Sequence, residues 1–214
     1  MHRTIITLLV ILFFPMLAFT QNKASKKEIY DCWNKEMKKL SKNEIKAKLT
    51  PEILLFTENL KRQGVDTIGV YIEEYVGSIT SDSCKCGIIP WMSYIHWSKA
   101  GTKYFQKITK CCFFDQHEFT YSPIIDYYLN NKLKIDNAII MPVILSASKN
   151  RWGRITKYET ESIDHSTQHS IYLDINGHYK YIAFDQFELD NVSNLFYLEN
   201  NNSIINAWIK HINN

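Results

Sequence analysis

The pattern of apolar and polar positions divides the chain into a helical first third and a strand-rich remainder. Ile29, Trp33, Met37 and Leu40 recur at three- and four-residue spacing with Lys and Glu between them, the period of an amphipathic helix. Ser25-Lys26-Lys27-Glu28 ahead of this run is a capping box, in which the Ser side chain accepts from the first turn and the Glu reaches back. The spacing predicts a helix over about 26–40. Ser41-Lys42-Asn43-Glu44 repeats the box and predicts a short second helix. Thr50-Pro51-Glu52 sets Pro at the first position of a third, with Ile53, Leu54, Phe56 and Leu60 as its apolar face and Gly64 as its stop.

The segment Thr67 to Val76 fits two periods. Its β-branched and aromatic content suits a strand, but Ile68, Tyr71, Ile72 and Tyr75 recur at helical spacing, and a helix is the expectation. From Trp91 onward the pattern changes. Met92 to Trp97 and Lys103 to Thr109 are rich in aromatic and branched residues around Lys99-Ala100-Gly101-Thr102, a hairpin signal. Ser170 to Ile175 and His178 to Phe184 flank Asn176-Gly177, the strongest short turn signal. The two hairpins resemble each other, as any two half-buried aromatic hairpins do, so a diverged duplication does not follow. Between them Ser122-Pro123 opens a helix with Ile124, Tyr127 and Tyr128, expected to end near Asn130-Asn131. Ile139 to Leu145 is apolar and holds Pro142, so it reads as a core element. Residues 146–169 are polar with little periodicity and predict a long surface loop, a place where function or mobility is found. Ser203 caps a final helix bearing Ile204, Ile205, Trp208 and Ile212. The fold class is therefore α+β: N-terminal helices and a C-terminal helix packed on an antiparallel sheet built from two similar β-hairpins.

The first twenty residues carry an address. His2 and Arg3 precede an apolar run from Ile5 to Phe14, broken by Pro15 and followed by Ala18-Phe19-Thr20. That is the layout of a secretory signal peptide, and the run is shorter than the roughly 20 residues a spanning helix needs. The expected organisation is a signal peptide over 1–20 and a single exported α+β domain over 21–214, periplasmic or extracellular. Its helical subregion covers about 25–64 and its hairpin-rich region about 90–214. No second run is long enough to cross a bilayer, so no transmembrane segment is expected in the mature chain.

Composition narrows the class without naming an activity. The chain is 45% hydrophobic and 22% charged, ordinary for a folded globular protein. Its net charge of +3 is too mild for a nucleic-acid surface. The excess is local: Lys23, Lys26, Lys27, Lys35, Lys38, Lys39, Lys42, Lys46 and Lys48 crowd the first helices, which reads as a solvated face. Abundant Asn, Ile and Lys with little Arg are the usage of an AT-rich, bacterial-type genome.

The cysteines are Cys32, Cys84, Cys86, Cys111 and Cys112. An exported chain favours disulfides. Bridging Cys84 to Cys86, or Cys111 to Cys112, would strain the backbone, so the 84/86 pair is expected to bond to the 111/112 pair by at least one bridge. Such a link closes a loop of roughly 25 residues and contributes about 3 kcal/mol in the chain-entropy model. Cys32 takes a second partner or stays a thiol. The alternative is a zinc or copper site on these thiolates with His96 or His117, but paired zinc ligands come more often as C-x₂-C than as C-x-C.

Asp164-His165-Ser-Thr-Gln-His169 is the other cluster. His165 and His169 would share a face of a helix and chelate a cation, but on a strand they sit far apart for one ion. No H-E-x-x-H, G-x-S-x-G, C-x-x-C or Gly-rich phosphate loop accompanies them. Aromatic residues crowd the hairpins, with Trp91, Tyr94, Trp97 and Tyr104 on the first as the candidate binding surface. The leading expectation is a non-enzymatic binding protein of inhibitor, immunity or envelope-associated type, without cofactor, whose partner is a protein or an envelope component. A metal-binding protein on Cys84, Cys86, Cys111 and Cys112 or on His165, His169 and His117 is the alternative, and a hydrolase working in the 146–169 loop is the third.

Overall fold

The computed structural model describes residues 22–37, 41–75 and 91–213. The expected signal segment, Cys84 and Cys86 lie outside the described residues. The fold is α+β and is organised by an antiparallel sheet of six strands in the order β5-β4-β3-β2-β8-β9. β2 (Thr67–Tyr75) runs through its middle, paired with β3 (Trp91–Lys99) on one side and β8 (Thr167–Ile175) on the other. Two hairpins therefore flank one central strand. β3 continues into β4 (Thr102–Thr109) and β8 into β9 (His178–Asp185), and β5 (His117–Phe119) adds the outer edge beyond β4. Both hairpin turns need positive φ at two successive residues: Ala100 and Gly101 at 50° and 82°, Asn176 and Gly177 at 52° and 80°.

The helix expected over Thr67 to Val76 is a strand over its described residues, Thr67–Tyr75. Ile68, Val70, Tyr71 and Ile72 are all buried, because β2 is covered on both faces. A strand buried on both faces loses its alternation and reads as a continuous apolar run, in which a helical spacing is found by coincidence.

The capping signals stand where the sequence set them. α1 (Lys26–Met37) follows Ser25, whose Oγ accepts the Glu28 N–H at 3.3 Å while Glu28 Oε2 accepts the Ser25 N–H at 2.8 Å. α2 (Lys42–Lys46) has the same reciprocal box on Ser41 and Glu44, and α3 (Pro51–Arg62) starts at Thr50. α2 and α3 lay Ile45, Ile53 and Leu60 on one face of the sheet, against Ile68, Val70, Ile72, Ile95, Trp97 and Tyr172.

The opposite face is covered by α4 (Ile125–Asn137), α5 (Gln186–Asp190) and α7 (Ile204–Ile212). Ile124, Tyr128, Leu189, Ile205 and Trp208 pack there on Tyr71, Ile171, Leu173 and Phe184. α4 passes the stop expected at Asn130-Asn131 with a local kink, Asn131 standing at φ −122° and ψ 16°.

The long loop expected over 146–169 holds a hairpin instead. β6 (Ile144–Lys149) and β7 (Ile155–Thr160) pair with each other and, through β6, with β1 (Asn22–Lys23) in a separate small sheet. Asn150 Oδ1 accepts the Trp152 and Arg154 N–H groups at 3.0 Å to form the turn, and Gly153 takes φ +75°. Only Ile144 and Ala147 of β6 are buried, so the segment has no hydrophobic alternation to read. α1 packs on this small sheet through Ile29, beside Phe196 just ahead of α6 (Tyr197–Asn201), rather than on the main one. Among the described residues no helix is long and apolar enough to cross a membrane.

Gly69 at the centre of β2 lets α4 approach. A Cβ there would stand 2.7 Å from Ile124 Cγ2 and 3.0 Å from Ile125 Cγ1, and Ile124 is fully buried with nowhere to yield. Gly69→Ala is expected to destabilise the protein by about 1–3 kcal/mol, the usual cost of overpacking. A fall in the urea midpoint at unchanged slope would show it, and an unchanged midpoint would mean that α4 shifts freely.

Candidate functional site

Period-two alternation sends Tyr71, Glu73 and Tyr75 of β2 to the face carrying α4 and α7. The antiparallel register then lines up rings from strand to strand. Phe184 of β9 opposes His169 of β8, Tyr71 opposes Tyr94 of β3, and Phe105 of β4 opposes His117 of β5. Ring centroids follow one another at 5.3 Å (Phe184–His169), 6.0 Å (His169–Tyr71), 6.1 Å (Tyr71–Tyr94), 6.0 Å (Tyr94–Phe105) and 6.4 Å (Phe105–His117). One ring from each of the six strands thus forms a continuous row across the sheet. Opposed and diagonal cross-strand pairs are within reach of aromatic side chains, so the register alone builds the row.

The helices cover half of it. Phe184, His169 and Tyr71 are buried. Beyond Tyr71 the row is open, and Glu73, Tyr94, His96, Phe105 and His117 line a cleft of about 550 Å³ together with Phe119, Tyr121, Pro123, Ile212 and Asn213.

Glu73 sits where the covered and open halves meet. The Tyr71 hydroxyl donates to its Oε1 and the Tyr75 hydroxyl to its Oε2, both at 2.9 Å. Burial, and then the Glu73 charge, hold the Tyr71 phenol far above its ordinary range; burial and the Glu73 hydrogen bond do the same for Tyr75. Behind Tyr71 the network continues into the core. Its hydroxyl is also 2.9 Å from His169 Nδ1, and His169 Nε2 is 2.9 Å from Gln186 Oε1. Gln186 Nε2 donates to Asp190 Oδ2 at 2.8 Å, which turns its carbonyl to His169 and puts the imidazole proton on Nε2. Burial lowers the His169 pKa, so Nδ1 is a bare acceptor. Tyr71 therefore has one proton and two acceptors.

His96 lines the cleft from β3. Its Nδ1 is 3.2 Å from Ser122 Oγ, which also accepts the Ile125 N–H at 2.9 Å. Burial pushes its pKa down to about 4, against a weaker pull from Asp126. Glu188, raised to about 7 by burial, accepts the Asp185 N–H at 3.1 Å in a capping box that starts α5, and its role there is structural.

The residues proposed from sequence separate. Trp91 and Trp97 are 7% and 3% exposed, belong to the core on the opposite face and do not line this cleft. Tyr104 lies on that opposite face too, stacked on Trp97 at 5.6 Å. Tyr94 alone of the four lines the cleft, and His117 joins it there. His169 is buried in the row while His165 is exposed in the turn before β8, so the structure does not bring the two together. Among the described residues no group of three or more His, Cys, Asp or Glu side chains could hold a metal ion. Cys32 on α1 is a free thiol, whereas Cys111 and Cys112 after β4 are not. The sequence reading missed Tyr71, Glu73, Tyr75, Phe105, Phe119 and Tyr121. Tyr71-Ile-Glu73-Glu-Tyr75 carried the one available signal, a carboxylate between two phenols at strand spacing. No family model, curated protein or solved structure matches the chain.

Keeping His96 neutral ties stability to pH. The unfolded imidazole takes a proton near pH 6.5 and the folded one only near 4, so the unfolded state binds more protons in between. Stability is fully present above about pH 6.5 and is lost as pH falls towards 4, by on the order of 3 kcal/mol at most. His169 adds in the same direction. Urea unfolding across this window is expected to show a shallower pH slope for His96→Gln than for the parent. Equal slopes would assign the dependence to other groups.

Proposed function

We propose that the chain is an exported, non-enzymatic binding protein of the periplasm or cell exterior, and that the cleft beside β3, β4 and β5 seats a small, largely apolar organic molecule. The observation that carries this reading is the half-covered row of rings. One half is buried under α4 and α7, and the other half forms, with Phe119 and Tyr121, an aromatic-walled recess lined by a single carboxylate among the described residues. Ligand sites are concave, mostly apolar and furnished with few polar groups, and this recess has that composition. All of its rings but Tyr121 stand on strands rather than loops, so little ordering is needed on binding. Export is supported by the pattern of residues 1–20, and it sets the redox compartment in which segments 84–86 and 111–112 would be joined.

Nuclear magnetic resonance shifts with a panel of small aromatic compounds test the site. Tyr121 is 45% exposed, so Tyr121→Ala removes a wall without disturbing the core. We expect that variant to bind roughly five- to tenfold more weakly, the worth of one aromatic contact of about 1–1.5 kcal/mol. Trp152→Ala, at an exposed tip of the small sheet, is expected to change nothing. Equal loss in both variants, or shifts away from the cleft, would remove the reading.

The export reading has its own measurement. The mass of protein recovered from outside the cytoplasm is expected to match a chain beginning at Gln21. Alkylation after denaturation without reductant is expected to label Cys32 alone. Labelling of four or five thiols would refute the bridges between 84–86 and 111–112.

A further inference from the structure

Resting on the reading of the cleft as a ligand seat, we propose that the ligand carries a protonated primary amine on a flat apolar body, and that Glu73 receives the ammonium group. Glu73 is the carboxylate lining the cleft, and no Lys or Arg among the described residues pairs with it. The cations on the same face are engaged elsewhere: Lys103 pairs with Asp126 at 2.8 Å, and Lys107 holds its Nζ 4.9 Å from the centre of the Phe114 ring. His96 is uncharged at neutral pH, and burial disfavours charge on His169. A carboxylate among rings thus has two phenols as its only hydrogen-bond donors among the described residues, a state that a cation improves more than any neutral group does.

Hydrogen-bond counting says which cation. Each Glu73 oxygen has used one lone-pair site on a phenol and has capacity left, and a carboxylate only accepts. Tyr94, diagonal to Glu73 across β2 and β3, lines the same cleft with its hydroxyl unpaired among the described residues, and the Glu73 charge helps raise its phenol. Asn213 spends its amide Nδ2 on the Tyr71 hydroxyl at 3.5 Å, which leaves its carbonyl free to accept. Acceptors on β2, on β3 and just after α7 therefore line the same recess. A primary ammonium, with three donors and no acceptor, is the group that uses them. A bare divalent metal would require more oxygen ligands than one carboxylate and neutral oxygens provide. The rings of Tyr94, Phe105, Phe119 and Tyr121 fix the rest of the ligand as apolar and flat, and ring faces turned to an ammonium add attraction.

Three probes of similar shape separate the possibilities: 2-phenylethylamine, 2-phenylethanol and 3-phenylpropionate. Each is titrated into the full chain at neutral pH by calorimetry and by the shifts of cleft residues. We expect the amine to bind at least about tenfold more tightly than the alcohol, and the carboxylate more weakly than either. In Glu73→Gln the amine and the alcohol are expected to fall within about twofold of each other while alcohol binding is kept, which also shows that the variant is folded. Tyr94→Phe is expected to weaken the amine more than the alcohol. Equal binding of amine and alcohol to the parent, or a preference for the carboxylate, would overturn the ammonium assignment and leave the cleft as a seat. Failure of all three probes to shift cleft residues would overturn both.

Discussion

The pairing of β2 with both its neighbours is the constraint on which the rest of the structure depends. Thr67 to Tyr75 is hydrogen-bonded along its length to β8 and nearly so to β3, and each pairing fixes which side chains oppose which. Strand side chains alternate, so a slip of one residue would send Tyr71 and Glu73 into the core beneath α2 and α3 and bring Val70 and Ile72 to the cleft side. Burial of apolar side chains on both faces makes that slip costly. Gly69 fixes the second dimension, because only an absent side chain lets Ile124 and Ile125 close on the sheet at that point. The row of rings follows from these two constraints and needs no further instruction.

Local signals were legible in the sequence and relations between distant segments were not. Ser25, Ser41, Thr50 and Ser203 mark helix starts because capping involves residues two or three apart, and the bonds they make are the expected ones. Asn176-Gly177 and Ala100-Gly101 announced their hairpins for the same reason. β2 was unreadable because burial on both faces erases the alternation that identifies a strand. β6 and β7 were unreadable for the opposite reason, having too few buried positions to show any period. The cleft drew on β2, β3, β4, β5 and the end of α7, and its members come together only through register. Trp91 and Trp97 show the same limit from the other side. Their alternation with Met92, Tyr94 and His96 was visible, but which set faces the larger helical cover was not.

The site draws its chemistry from lying at the boundary of the helical cover. A ring row buried throughout would be core, and one exposed throughout would be a flat surface with its carboxylate in water. Here α4 and α7 end their cover near Tyr71, and the next residue along the strand on the same face is Glu73. Its carboxylate is consequently tied by the Tyr71 hydroxyl to the buried side and open through the cleft on the other. Tyr75 holds the second oxygen, so the group has little freedom to turn away.

That tie makes Tyr71 more than a prop. Its single proton stands between Glu73 Oε1 and His169 Nδ1 at equal distances of 2.9 Å, and the Gln186–Asp190 contact denies His169 the tautomer that would relieve the competition. With one hydroxyl proton between them, one of the two acceptors lacks a proton at any moment. A positive charge arriving at Glu73 satisfies that carboxylate from the cleft side and frees the Tyr71 proton for His169 Nδ1. The proton then completes a chain from Tyr71 through His169 to Gln186 at the start of α5. An unmet acceptor in the buried half and a carboxylate without a cationic partner among the described residues at the open edge are thus one deficit, and a donor from the cleft meets it.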